Sequence, residues 1–221
     1  MFEDNLKQIL TEISKGNNLG EKVTLVGATK TVPVETVNRA IECGLEVVAE
    51  NKVQEFRDKT ALINGARQHF IGHLQTNKVK YIVGNVELIH SVDSIHLAEE
   101  IARFAVKHAL TQDVLAEINV GGELSKSGFD TENAVDAVKE IARIDGIKVK
   151  GLMAMLPHSD DEKLLTTLCQ RMRSIYDELK AMGYDMQYLS VGMSADYKIA
   201  IANGSNTIRL GSAIFGERHY N

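Results

Sequence analysis

The stretch KVTLVGATKTVPVETVNRAIECG, Lys22–Gly44, decides the fold. Its first eight residues, Lys22–Thr29, are rich in β-branched and apolar side chains, which reads as a buried strand. Pro33 then opens a helical segment and Gly44 closes it, the usual places for proline and glycine at the two ends of a helix. Strand, short loop and helix in one stretch make a βα unit. The lysine between them, Lys30, sits where the strand ends.

The same unit recurs along the chain. Strand-like runs follow at Leu45–Glu50, His69–His73, Glu87–Val92, Asp113–Val120, Val149–Met155, Tyr188–Met193 and Thr207–Leu210. The segments between them carry helical spacing: Val53–Ile63, Thr76–Val83, a helix capped by Ser94 that runs to about Leu110, one capped by Thr131 over Ala134–Ile144, the long Lys163–Met182, and one capped by Ser194 over Asp196–Ala202. An amphipathic segment, Met1–Gly16, precedes the first strand. Alternating βα units give a parallel sheet with right-handed crossovers. Eight of them predict a single (β/α)8 barrel, usually about 250 residues, here with an extra N-terminal helix. The rival is a doubly wound open sheet. No linker or composition break divides residues 1–221, so one domain is expected.

Composition narrows the function classes. The 25% of charged residues is the ordinary globular level, and a formal net charge of −5 speaks against a nucleic-acid binder. No apolar run approaches the roughly 20 residues that span a bilayer, and the start lacks a basic signal-peptide region. The expectation is a cytoplasmic protein without membrane or nucleic-acid partners. Cys43 and Cys169 belong to no metal-ligand spacing and read as packed free thiols. His69 and His73 would stand about 13 Å apart on a strand, too far to share an ion, so no metal site is expected.

Barrels of this kind bind ligands at the C-terminal ends of their strands. The residues expected there include Lys30, Asn51, His73, Met193, Ser194, Arg209, Gly211 and Ser212. A lysine at an apolar strand end is partly desolvated, which lowers its pKa and frees its amine to attack an aldehyde; equally, it can be a solvated loop lysine. The last two βα loops of a barrel commonly hold phosphate, and Gly192-Met193-Ser194 with Gly211-Ser212 suit that task. Ser194 also suits a helix cap. If Ile208 and Leu210 face outward, Arg209 points into the barrel. There it either pairs with Glu50 or Glu117 or contacts a bound ring. His73 can line the mouth or be structural, and Lys126 can be a solvated loop lysine.

Seven segments make the pattern specific: LVGATKTVP (Leu25–Pro33), AENKVQE (Ala49–Glu55), HFIGHLQTNK (His69–Lys78), INVGGELSKSGF (Ile118–Phe129), GLMAM (Gly151–Met155), LSVGMSADY (Leu189–Tyr197) and IRLGSAIFG (Ile208–Gly216). In this order they resemble the pyridoxal phosphate homeostasis family, single-domain relatives of the alanine racemase barrel. The resemblance implies pyridoxal 5'-phosphate (PLP) as cofactor and Lys30 as its Schiff-base lysine. It implies a phosphate held by Ser194, Gly211 and Ser212 with the Met193 region. Arg209 would face the pyridine nitrogen, and Asn51 and His73 would line the cofactor. It also implies a role in vitamin B6 homeostasis, with no assigned catalytic residue. Amino acids, as external aldimines, and PLP-accepting apo-enzymes are the implied partners of a monomer. Ala49, Gln68 and Ser212 depart from the family's usual residues, though serine keeps the hydroxyl.

Two rivals remain at this stage. A weak PLP-dependent amino-acid racemase needs a second acid/base, commonly a tyrosine from another domain. The chain's end at Asn221 leads us to expect no such domain, and Tyr184, Tyr188 and Tyr197 are not evident mouth residues. A barrel scaffold without cofactor would be colourless.

Overall fold

The computed structural model describes residues 1–123 and 126–216. Eight parallel strands form a closed ring: β1 (Thr24–Ala28), β2 (Val47–Glu50), β3 (Arg67–Phe70), β4 (Leu88–Val92), β5 (Gln112–Asn119), β7 (Ile147–Ala154), β8 (Tyr188–Val191) and β9 (Thr207–Leu210). Pairing of β4 with β5 and of β1 with β9 closes the circle, which rules out the open sheet. The two-residue β6 (Phe129–Asp130) pairs with the end of β5 in the loop that follows it.

Helices α2 (Val34–Glu42), α3 (Val53–Lys59), α4 (Ile95–Lys107), α5 (Ala134–Ile141), α6 (Glu162–Ala181) and α7 (Tyr197–Ala202) follow successive strands. A short α8 (Ser212–Phe215) follows β9, and α1 (Phe2–Ile13) precedes β1. Pro33 is the N-cap of α2, and Gly44, at φ +104, follows its C-cap residue Cys43. Ser94 caps α4 by accepting from the Leu97 N–H at 3.2 Å.

Four expectations need correction. Thr76–Tyr81 is a 3-10 helix rather than an α-helix. Thr131 begins a separate 3-10 turn, and α5 starts after Asn133 with no side-chain cap. Asp196, not Ser194, occupies the N-cap position of α7, because the Ser194 hydroxyl is engaged elsewhere. The third strand ends at Phe70, so His73 lies beyond it in the loop.

Side chains alternate across the barrel wall. Leu25, Ile208 and Leu210 pack outward against α1, α2 and α8, with Leu6, Val37 and Ile214. The larger outer core joins the remaining helices to β3–β8. The barrel interior holds two small apolar layers, Val26–Val47–Ala49–Ile71 and Leu88–Leu115–Met153. The interior is otherwise polar: His69, His90, Ser190, Thr207, Glu117 and Arg209 are all buried.

The first helix is part of this core rather than an appendage. Leu6 is fully buried, and Phe2 packs on Phe215 with ring centroids 5.9 Å apart. Leu6→Ala is therefore expected to lower the unfolding free energy by about 2–5 kcal/mol, since the cavity adds to the lost transfer energy. Urea denaturation measures this. A change below about 0.5 kcal/mol, typical of surface sites, would show that α1 is dispensable.

Candidate functional site

Lys30 sits in a tight turn after β1, closed by the Val32 N–H donating to the Thr29 carbonyl at 3.0 Å. The backbone at Thr31 has φ +63, unusual for a β-branched residue. Its neighbours hold it there. The Thr31 N–H donates to Glu55 Oε2 at 2.7 Å. The buried Thr29 hydroxyl donates to Glu50 Oε1 at 2.7 Å. Lys59 Nζ ties these together, donating to the Thr29 carbonyl and to Glu50 Oε1 at 2.9 Å each, and to Glu55 Oε2 at 3.3 Å. Both residues flanking Lys30 are thus fastened, while Lys30 itself has no ion pair among the described residues.

Arg209 points into the barrel, as the outward Ile208 and Leu210 require. Neither Glu50 nor Glu117 pairs with it. Its Nη1 donates to the Ser190 carbonyl at 2.7 Å and the Ser190 hydroxyl at 2.6 Å, and its Nη2 donates to the Ala154 carbonyl at 2.9 Å. A guanidinium has five N–H donors. Nε and one Nη2 hydrogen keep no acceptor among the described residues. Burial pulls the Arg209 pKa down to about 10, so the group stays charged at neutral pH. Glu117 on β5 is buried, with no ion pair among the described residues. Burial first, then the Asp93 charge, push its pKa up to about 7, against the pull of Arg209 and His73.

Ser194 follows Gly192, whose φ of +105 and tight packing on α7 exclude a side chain: an added Cβ would lie 2.8 Å from the Ala200 Cβ. The Ser194 hydroxyl accepts from the Ala213 N–H at 3.1 Å and from the Gly211 N–H at 3.4 Å. It therefore bridges the last two βα loops. The Met193 N–H is taken by Asp196 Oδ1 at 2.6 Å. The backbone N–H groups of Ser194 and Ser212 have no acceptor among the described residues. Three strand ends thus bring Lys30, Arg209, Ser194, Gly211 and Ser212 to one side of the mouth, on the neighbouring strands β8, β9 and β1.

Asn51 follows β2, the neighbour of β1, and is partly exposed. Gly72 lets the next loop approach it, since a Cβ there would collide with the Asn51 carbonyl oxygen. His73 is 62% exposed and its Nδ1 lies 3.2 Å from Asp93 Oδ2, which places it at the rim. Asn51, His73, Lys78, Arg57 and Tyr81 line a shared recess of about 360 Å³. Lys126 is ion-paired rather than free, 2.5 Å from Glu123 Oε1. Tyr188 and Tyr197 are turned away. Tyr197 donates to Glu12 at 3.2 Å, and Tyr188 packs beside His69 at the opposite end of the barrel. Cys43 and Cys169 are both free thiols, and burial raises Cys169 to about 12.

Reading the sequence overlooked the fastening around Lys30. Glu55 and Lys59 have the i,i+4 spacing of an ordinary helix-surface pair, and nothing local distinguishes them. Ser190 was overlooked as well. It lies inside an apolar strand, where an inward serine facing an inward arginine is the only signal.

Glu117 yields a test on the cofactor-free protein. Its raised pKa means that the native state holds a proton that unfolded glutamate releases. The resulting stability is present below pH 4.5 and lost as pH rises through about 7. Wild type minus Glu117→Gln stability should therefore fall by on the order of 3 kcal/mol across that window. Urea titrations at several pH values supply the difference, and a flat difference would show Glu117 to be water-exposed.

Comparison with known proteins fits this geometry. The family described as alanine racemase, N-terminal domain, matches residues 3–219. The pyridoxal phosphate homeostasis protein of Aquifex aeolicus is 40% identical over 227 residues, 98% of each chain. A Bifidobacterium adolescentis protein described as unknown superposes with TM-score 0.91 at 34% identity, over 97% of this chain and 94% of that one. PipY of Synechococcus elongatus, solved with PLP bound, gives TM-score 0.85 at 26% identity, over 98% of this chain and all of that one. The matches run the length of the barrel, and the chain belongs to the alanine racemase N-terminal domain family and, within it, to the pyridoxal phosphate homeostasis proteins.

Proposed function

We propose that this chain is a single PLP-binding barrel domain that serves vitamin B6 homeostasis by holding the cofactor on Lys30. The observation that carries this reading is Arg209. It is a buried, charged guanidinium with two donors left over among the described residues, on β9 between the strands that lead to Lys30 and to Ser194. A guanidinium whose remaining hydrogens are not taken up by the protein can donate them to a ligand, so the arrangement fits an acceptor-bearing ligand. PLP supplies an aldehyde that condenses with a lysine amine and a ring that draws electrons most strongly when its nitrogen is protonated.

The protein's residues then divide the work. Lys30 presents its amine from a turn that Glu50, Glu55 and Lys59 hold rigid. The N–H groups of Ser194 and Ser212, with Gly211 and both serine hydroxyls, hold the phosphate beside Met193. Asn51 and His73 flank the ring from the β2 and β3 side. Arg209 would donate to the ring nitrogen of bound PLP and, by its charge, would oppose protonation there. That withholds the full electron sink and suits a holder of a reactive aldehyde better than a carbon-acid catalyst. Amino acids and PLP-accepting apo-enzymes are the partners this role implies. A weak racemase finds less support, because Tyr188 and Tyr197 face elsewhere.

No helix among the described residues is long and apolar enough to cross a membrane. Two unpaired thiols agree with a reducing compartment, and we assign the protein to the cytoplasm.

Lys30→Ala should abolish the visible absorption of the PLP-loaded protein, and borohydride reduction of wild type should label Lys30 in a peptide map. A label on Lys126 with full absorption in the variant would overturn the assignment. Ser194→Ala should weaken PLP binding mildly, by about 1 kcal/mol, because other donors remain. Gly211→Val should be worse, since it obstructs backbone approach. The reverse order, read by PLP titration, would refute a cradle built mainly of backbone N–H groups.

A further inference from the structure

We propose that Ser190, His90 and His69 form a positioning chain that anchors Arg209 through the barrel interior, ending beside Glu87 at the opposite mouth. The chain itself is a property of the free protein. Its bearing on the cofactor rests on the reading that Arg209 meets the ring.

Hydrogen-bond contacts run unbroken from Arg209 to His69. Arg209 Nη1 donates to Ser190 Oγ at 2.6 Å. Ser190 Oγ lies 3.1 Å from His90 Nδ1, and His90 Nε2 lies 3.0 Å from His69 Nδ1. His69 Nε2 lies 3.8 Å from Glu87 Oε1, where the half-exposed carboxylate precedes β4. Ser190 and both histidines have no solvent exposure. The chain begins on β8 and β9 and ends on β3 and β4, so it ties distant walls of the ring together.

The direction of every hydrogen follows from one fact. Arginine only donates, so Ser190 Oγ accepts from it. A buried hydroxyl must also donate. Among the described residues, His90 Nδ1 is the acceptor in reach, so Ser190 donates to it. His90 then carries its proton on Nε2 and donates to His69 Nδ1. His69 in turn carries its proton on Nε2 and directs it at Glu87. Burial disfavours the charged form of both imidazoles, which agrees with two neutral rings. The fixed positive charge of Arg209 thus sets both tautomers, and the two rings return the constraint by holding the serine that receives the guanidinium. Losing the chain would leave Arg209 with backbone carbonyls alone.

The test begins with the cofactor-free chain. Long-range proton–nitrogen NMR of 15N-histidine protein should show His90 and His69 neutral and protonated on Nε2 at neutral pH. In Ser190→Ala, His90 should acquire an Nδ1-protonated population. With PLP added, Ser190→Ala and His90→Phe should each weaken binding about 3- to 10-fold and shift the visible absorption band. The lysine that borohydride labels should stay the same. An Nδ1-protonated His90 in wild type would refute the chain outright, even if neither variant folds. Folded variants with unchanged affinity and spectrum would show that the chain does not position Arg209. Failure of wild type to take PLP would refute the proposed function and leave the tautomer result standing.

Discussion

The ion pair between Lys59 and Glu50 governs the geometry of the mouth. Both groups are largely withdrawn from water, with 13% and 3% exposure. A buried pair of this kind is weak evidence for stability, since the desolvation of two charges offsets most of their attraction. Its contribution is better sought in shape. The pair gathers the end of β2, the first turns of α3 and the turn after β1 onto one ammonium group. Glu50 holds the Thr29 hydroxyl, Glu55 holds the Thr31 N–H, and the left-handed backbone at Thr31 persists between them. Lys30 is therefore carried on a short arc that is fastened on both sides. Removing Lys59 would leave two carboxylates facing one another at a strand end.

The barrel was legible because its signals are local. Each strand run and each helix announces itself within a dozen residues, and the eightfold repeat then selects a closed ring. Caps fared unevenly. Ser94 caps α4 as read, whereas Ser194 is drawn away by the N–H groups of Gly211 and Ala213, a partnership that only the folded βα loops create. The inward direction of Arg209 was readable from the outward Ile208 and Leu210. Its partners were not, because a carboxylate is the expected companion for a buried arginine and the fold instead offers two carbonyls and a serine. Likewise, His69 could be kept from a metal by strand spacing, but its pairing with His90 depends on how β3 and β4 lie side by side.

The interior is divided by height. Small apolar layers sit among the strands, and the polar groups between them are joined to one another rather than to solvent. Partly satisfied networks are costly in a low-dielectric interior, whereas completed ones confer a single arrangement. Among the described residues of the barrel, the buried side-chain atoms left without a partner are His69 Nε2 at one end and Glu50 Oε2 at the other. The barrel thus concentrates its unsatisfied polar capacity near its two openings.

The burial of Cys169 bears on selectivity between nucleophiles. A thiol pushed up to about 12 is almost wholly protonated at neutral pH, and α6 shields it among Leu165, Leu168 and Met172. Thiolates react with aldehydes and oxidants far more readily than thiols do. A protein proposed to carry a reactive aldehyde thus keeps this buried thiol silent, so that an electrophile arriving at the mouth meets an amine and not the Cys169 sulfur.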